Sequence, residues 1–178
     1  MSAADAAGLR AHVRDVADHP HPGIVFKDLT PLFADAAALR EATERLAAYA
    51  RELDAQYVVS AEARGFVLGG AIAVACGAGF VPARKPGRLP LATDAAEYEL
   101  EYGIDALEVH SDSLAAGARV LVHDDLLATG GTAKALCELI EGAGAVVVGC
   151  GFVVELSFLG GRGQLGPRPV HSLIDYAA

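Results

Sequence analysis

The chain has 178 residues, a length that suits one domain with a buried core. Hydrophobic residues make up 53% of it, which excludes a disordered chain, and the formal charge of −9 argues against nucleic acid, whose phosphates need a basic face. Apolar runs are broken by Gly, Arg or Asp before membrane-spanning length, so no membrane is expected, and three cysteines without a CxxC pair suit reduced thiols in a cytoplasm.

Met1 to Arg14 alternates Ala with charged residues and has no apolar signal core. The spacing from Asp5 to Ala17 predicts a surface helix, stopped by His19-Pro20-His21-Pro22-Gly23. A second helix is predicted over Ala36 to Leu53, with Ala42, Leu46 and Tyr49 among its apolar positions. Tyr57–Ser60 reads as a strand, followed by Glu62-Ala63-Arg64-Gly65 and a helical stretch to Cys76. Phe80–Ala83 repeats the strand signal, and the segment from Arg84 to Leu100 lacks periodicity and reads as a flexible lid. Arg119–His123 and Ala145–Val154 are further strands around a helix over Thr132–Glu141. Strands with little alternation, separated by helices, predict an α/β fold with a parallel sheet covered on both faces. Ligands of such sheets bind beyond the carboxyl ends of the strands, so the loops after Ser60, Ala83 and His123 carry the most information.

The third loop gives the strongest signal. Val120-Leu121-Val122-His123 leads into Asp124-Asp125-Leu126-Leu127-Ala128-Thr129-Gly130-Gly131-Thr132. Small residues and two glycines at a helix start let backbone N–H groups and two hydroxyls close around an anion. No Lys-Ser or Lys-Thr follows, so it is not a Walker loop. Carboxylates just upstream accept hydrogen bonds from vicinal hydroxyls and favour positive charge on a sugar ring. Together these describe a ribose 5-phosphate site; feature by feature, the alternative is a helix-capping turn with acidic neighbours. After the first strand, Arg64 puts a cation at a helix N-terminus, an unfavourable place unless an anionic ligand joins it. Arg84, Lys85 and Arg88 concentrate positive charge in an acidic chain, either as a solvated loop or as the field a polyanion needs.

The string from Val120 to Thr132 resembles the signature with which type I phosphoribosyltransferases bind 5-phosphoribosyl-1-pyrophosphate (PRPP); His123 departs from it, since that position is usually aliphatic. Pro22-Gly23-Ile24-Val25-Phe26-Lys27-Asp28-Leu29-Thr30-Pro31, Tyr98-Glu99-Leu100-Glu101-Tyr102-Gly103 and Leu159-Gly160-Gly161-Arg162 resemble the adenine-specific branch of that family, so the resemblance runs from about Pro20 to Tyr176. It implies the type I phosphoribosyltransferase fold: one domain over 1–178, with an arm and base-binding hood at 1–35, a lid at 84–103 and the PRPP motif at 120–132. It implies formation of AMP and pyrophosphate from adenine and PRPP. The 5-phosphate would lie on Ala128, Thr129, Gly130, Gly131 and Thr132, the ribose hydroxyls on Asp124 and Asp125, and the pyrophosphate near Arg64, Arg84, Lys85 and Arg88. Phe26 would stack on the purine, backbone groups of Val25 and Lys27 would read its edge, and Leu127 would join the base pocket. Glu101 would manage the proton at N7, with Asp124 and Asp125 as its catalytic companions. Taken singly, Phe26 reads equally as a core anchor and Glu101 as solvated surface. Mg2+ would arrive with the pyrophosphate, held mainly by substrate and water. A homodimer is implied too, with Arg84–Pro90 near the partner's site. The rivals are a 6-oxopurine or orotate phosphoribosyltransferase and a non-catalytic PRPP-sensing regulator; the latter would want a basic DNA-binding module, for which the length and charge leave no room.

Overall fold

A computed structural model describes residues 8–100 and 103–178 of the chain. Its centre is a five-stranded parallel sheet of β3 (Tyr57–Ala61), β4 (Gly79–Ala83), β7 (Arg119–Leu127), β8 (Val146–Leu156) and β9 (Val170–Tyr176), in the order β4-β3-β7-β8-β9. Adjacent residues face opposite layers. Val58 and Leu121 pack with α1 (Thr30–Ala34), α2 (Ala36–Glu52) and α3 (Gly65–Cys76), whereas Val59 and Val122 pack with α4 (Gly131–Gly142). This two-sided burial is the physical reason the strands read as continuous apolar runs. Phe152 on β8 is fully buried in the α4 layer, where truncation to Ala would cost about 3–5 kcal/mol.

Helix α2 has the predicted position, and its start is set by Asp35, whose side chain accepts from the N–H groups of Ala37 (3.0 Å) and Ala38 (2.8 Å). Helix α3 connects β3 to β4 on one side and α4 connects β7 to β8 on the other, so the chain departs in opposite directions from the neighbouring strands β3 and β7. That divergence leaves a crevice at their carboxyl ends, the place where open α/β sheets take ligands. No helix among the described residues is long and apolar enough to cross a membrane.

Three expectations need correction. The helix predicted to run to Ala17 gives way to β1 (Arg14–Ala17), which pairs antiparallel with β2 (Val25–Asp28). Cross-strand charges favour the hairpin over the local helical tendency: Arg14 reaches Asp28 at 2.5 Å and Lys27 reaches Asp15 at 2.7 Å. The segment read as lacking periodicity is half strand, because β5 (Thr93–Leu100) pairs with β6 (Gly103–His110) in an antiparallel hairpin. The strand expected to stop at His123 continues to Leu127, since Asp124, Leu126 and Leu127 pair with Phe152, Val154 and Glu155.

Candidate active site

The extended β7 changes where the acid pair stands. Asp124 and Asp125 belong to the sheet rather than to a loop, so their backbone is held by the ladder to β8. Asp125 is buried at 2% exposure, and its N–H donates to Asp124 Oδ1 at 2.9 Å. Burial, joined by the negative charge of its neighbour, holds the Asp124 carboxyl well above the usual carboxylate range. Burial raises Asp125 as well, opposed chiefly by the Arg64 cation. Two carboxylates in one crowded position favour any positive charge brought to them. A side chain at Gly65 would put its Cβ 2.8 Å from Asp124 Oδ1, so only glycine lets α3 start this close to the acids.

The phosphate-type loop follows directly. Asp124, Leu126, Leu127 and the run Ala128–Ala133 line a depression of about 80 Å³. Gly130 precedes α4 with φ +90°, a left-handed conformation suited to glycine, and no side chain caps the helix. The first N–H groups of α4 are therefore left for an anion in the depression. Leu127, expected against the base, is 1% exposed and packs in the core layer of α4, so its side chain offers a base little surface.

Arg64 follows β3 at the entry to α3, beyond a cis Glu62–Ala63 peptide. Its Nε lies 3.0 Å from Asp125 Oδ2, an ion pair whose N–H is not aligned as a hydrogen bond. Its guanidinium also stands 5.3 Å from the centroid of the Phe26 ring, which His19 meets edge-on at 5.1 Å. Residues expected to hold pyrophosphate, ribose and purine thus form one contact chain, Asp125–Arg64–Phe26. Val25 is exposed on β2. The Lys27 side chain is engaged elsewhere, with Asp15 and 4.3 Å from the Tyr176 ring centroid, which leaves its backbone for the role expected of it.

Of the three cations in the basic loop, Arg84 has its side chain engaged by a carboxylate. Arg84 Nε donates to Glu62 Oε2 at 2.7 Å, and its backbone exchanges hydrogen bonds with Glu108 at 2.9 and 2.7 Å. Lys85 N–H donates to Glu62 Oε1 at 3.1 Å, while the carbonyl of Arg88 accepts from Arg84 Nη1 at 3.4 Å. These contacts tether the loop to the segment that carries Arg64. Glu101 lies outside the described residues.

His123, the departure from the signature, is wholly buried with Nδ1 at 2.9 Å from the Gly151 carbonyl. Burial lowers its pKa to about 4, so the ring is neutral at physiological pH and Nδ1 carries the proton that Gly151 accepts. Its Nε2 and the Oγ of Ser60, its register partner on β3, are both buried without a hydrogen-bond partner. Among the described residues no group of three or more His, Cys, Asp or Glu side chains is placed to hold a metal.

One contact was not legible from residue types. Gly161, in the second of two short 3-10 turns after β8 (Ser157–Leu159 and Gly161–Leu165), abuts the backbone of Ala128 and Gly130. Its sequence signal was the Leu159-Gly160-Gly161-Arg162 segment, which carried no role there.

No protein-family model matches the sequence. The adenine phosphoribosyltransferase of Rubrobacter xylanophilus is 54% identical over 169 residues, covering 94% of this chain and 91% of that protein. The crystal structure of adenine phosphoribosyltransferase from Thermoanaerobacter pseudethanolicus superposes with a TM-score of 0.92 at 44% identity, covering 96% of this chain and 99% of that one. The Saccharomyces cerevisiae enzyme, solved with an imino-altritol bisphosphate and adenine, gives a TM-score of 0.92 at 37% identity, covering 97% of this chain and 100% of that one. With such identity maintained over nearly its whole length, the chain belongs to the adenine phosphoribosyltransferase family.

Proposed function

We propose that the chain transfers the 5-phosphoribosyl group of PRPP to N9 of adenine, forming AMP and releasing pyrophosphate. The observation that carries this reading is the Asp125–Arg64–Phe26 contact chain beside the anion depression, which puts a diol-binding acid, a cation and an aromatic face at one crevice. The yeast relative's complex with adenine and a bisphosphate supports the same pairing of ligands.

In this reading the 5-phosphate lies on Ala128–Thr132, the ribose hydroxyls on Asp124 and Asp125, and the pyrophosphate near Arg64. The C1–oxygen bond to pyrophosphate breaks with its electron pair leaving on the pyrophosphate, and the N9 lone pair forms the new bond to C1. Positive charge grows on the ribose ring between these events, and the paired carboxylates stabilise it. Phe26 holds the purine plane, and backbone groups of Val25 and Lys27 read its edge. The proton lost from the base is assigned to Glu101, an assignment that rests on the resemblance of Leu100-Glu101-Tyr102-Gly103 alone. Mg2+ bound with the pyrophosphate would be held mainly by substrate and water oxygens and would supply charge neutralisation of the leaving group. Incubation with PRPP, Mg2+ and each base in turn should form AMP much faster than IMP, GMP or OMP. Equal rates with hypoxanthine or guanine would overturn the choice of base and leave the PRPP site standing.

A cytoplasmic setting suits Cys76, Cys137 and Cys150, none in a disulfide, with the Sγ atoms of Cys137 and Cys150 in hydrogen-bond contact at 3.7 Å. A homodimer is supported by α3, which carries no charged residue along its 12 positions. Val67 and Val74 are exposed at 45% and 84%, with Ala71 exposed between them on the same helix face. Such a stripe suits burial against a second copy. Val74→Glu should shift the protein from dimer to monomer in sedimentation. A dimer that survives this change would put the interface elsewhere.

A further inference from the structure

We infer that Gly161, clamped by the Glu155–Arg162 pair, is the backstop that holds the phosphate loop in its anion-binding shape, making Glu155 and Arg162 positioning residues for the 5-phosphate subsite. The inference rests on the phosphoribosyl-transfer reading and names a part of the chain that touches no substrate.

The contact is backbone against backbone. A Cβ on Gly161 would collide with the Ala128 carbonyl oxygen and stand 3.0 Å from the Gly130 nitrogen. Conversely, a Cβ on Gly130 would stand 2.5 Å from the Gly161 carbonyl oxygen and 3.0 Å from Gln164 Cβ. The two segments therefore fit only as glycine on glycine, and any outward shift of Gly161 removes the wall behind Ala128–Gly130. A loop that binds an anion through its own N–H groups depends on that wall, because its donors point correctly only while the backbone keeps one shape.

Two anchors keep the wall in place. Arg162 donates from Nε to Glu155 Oε1 at 3.0 Å and from Nη2 to Glu155 Oε2 at 2.5 Å, and its Nη1 donates to the Val170 carbonyl at 2.8 Å. A planar guanidinium making a two-point contact fixes orientation as well as distance. Glu155 is 4% exposed and its Oε2 also accepts from Ser172 Oγ at 2.7 Å, so the carboxylate is itself held by β9. Leu165, fully buried in the α4 core layer, pins the far end of the same turn. Glu155 is also the ladder partner of Leu127, the last strand residue before the phosphate loop. One buried carboxylate thus references both the loop's entry and its backstop to the same strand, β8.

The test compares two glycines of one 3-10 turn. A Cβ at Gly163 meets nothing within 4 Å, so Gly163→Ala controls for the added methyl, whereas Gly161→Ala drives it into the loop. Binding of ribose 5-phosphate is measured by calorimetry, alongside KM for PRPP and for adenine. Gly161→Ala should weaken ribose 5-phosphate and raise KM for PRPP by roughly tenfold or more, with KM for adenine within about twofold and Gly163→Ala like wild type. Glu155→Gln, which keeps shape and loses the charge that grips Arg162, should show the same one-sided change, and it decides the matter if Gly161→Ala does not fold by circular dichroism. Ribose 5-phosphate binding by either folded variant as tight as wild type overturns the inference, as does an equal loss for adenine, which would mark a general structural role. A wild-type protein that does not bind ribose 5-phosphate at all would instead sink the phosphoribosyl-transfer reading.

Discussion

Asp124→Asn is expected to lower kcat on the order of a hundredfold and, in the same protein, to raise the thermal midpoint at pH 8. Both effects follow from one arrangement. The Asp124 carboxyl is crowded by protein and by Asp125, which pushes it up to about 8. Ionising it in the empty site is unfavourable, and that is the condition under which the positive charge developing on the ribose in the transition state gains most from it. The amide oxygen of Asn can still accept the 2.9 Å bond from the Asp125 N–H, so the local fold is retained.

The sign on stability is set by the raised value. Below pH 3.8 the carboxyl is protonated in folded and unfolded chains alike and opposes neither. From there towards about 8 the unfolded chain ionises Asp124 while the folded chain resists, so stability falls as pH rises. The Asn variant is free of this penalty. Its advantage over wild type should be greatest at pH 8 and vanish near pH 4, with about 2–4 °C in midpoint for each kcal/mol relieved. Melting curves at pH 4, 6 and 8 read the slope, and steady-state rates at saturating PRPP read kcat. Asp125→Asn should gain less, because it also gives up the Arg64 ion pair. An Asp124→Asn enzyme with wild-type kcat would remove this acid from the mechanism.

The parts of this site that were legible in the sequence are those in which neighbours in the chain remain neighbours in space. Asp124 through Thr132 is one strand end, one turn and one helix start, so residue types and order carried the anion and diol chemistry with little tertiary help. The buried strands were legible for a similar reason, since two-sided burial writes itself as an apolar run. Arg14–Ala17 was misread because helix and strand differ there only in what lies across from it: Asp28 and Lys27 are distant in sequence, and their charges favour pairing. The hairpin of β5 and β6 escaped because its strands alternate weakly, and pairing along their whole length supplies what propensity lacks. Strand β9 was missed too, although Leu173 and Ile174 are fully buried, because its run is short and mixed with polar residues. The Gly161 backstop was out of reach for a further reason. A close approach between two backbones leaves no pattern beyond a glycine, and most of the chain's 20 glycines mean something else.

The contact between Arg64 and Phe26 was equally invisible, and it leads to the second large effect. A cation opening α3 points to an anionic ligand, and the family resemblance implies that this ligand is the pyrophosphate. The folded chain gives Arg64 two further contacts, Asp125 Oδ2 at 3.0 Å and the Phe26 ring at 5.3 Å. A pyrophosphate brought beside it offers a stronger anion than a single carboxylate whose own ionisation is disfavoured. The guanidinium should then exchange Asp125 for the pyrophosphate, which leaves Asp125 to the ribose hydroxyls and uncovers the Phe26 face for the purine. Arg64→Ala removes a charge-assisted contact worth about 1.5–3 kcal/mol, so KM for PRPP should rise roughly ten- to a hundredfold. Adenine should bind the free variant at least as tightly as free wild type, because Arg64 then no longer covers the Phe26 ring. Asp125 also loses the cation that opposes its upward shift. The acid limb of the kcat/KM profile should accordingly move to higher pH, since the ionised acid forms later as pH rises. Arg64→Lys keeps the charge but not the planar fork or the stacking, and should hold the pH limb near wild type while recovering only part of the PRPP affinity. Three readings decide the case: KM for PRPP, direct adenine binding to the free protein, and the pH profile. An Arg64→Ala enzyme with unchanged KM for PRPP would take Arg64 off the pyrophosphate, and one whose acid limb stays put would break the link between this cation and Asp125.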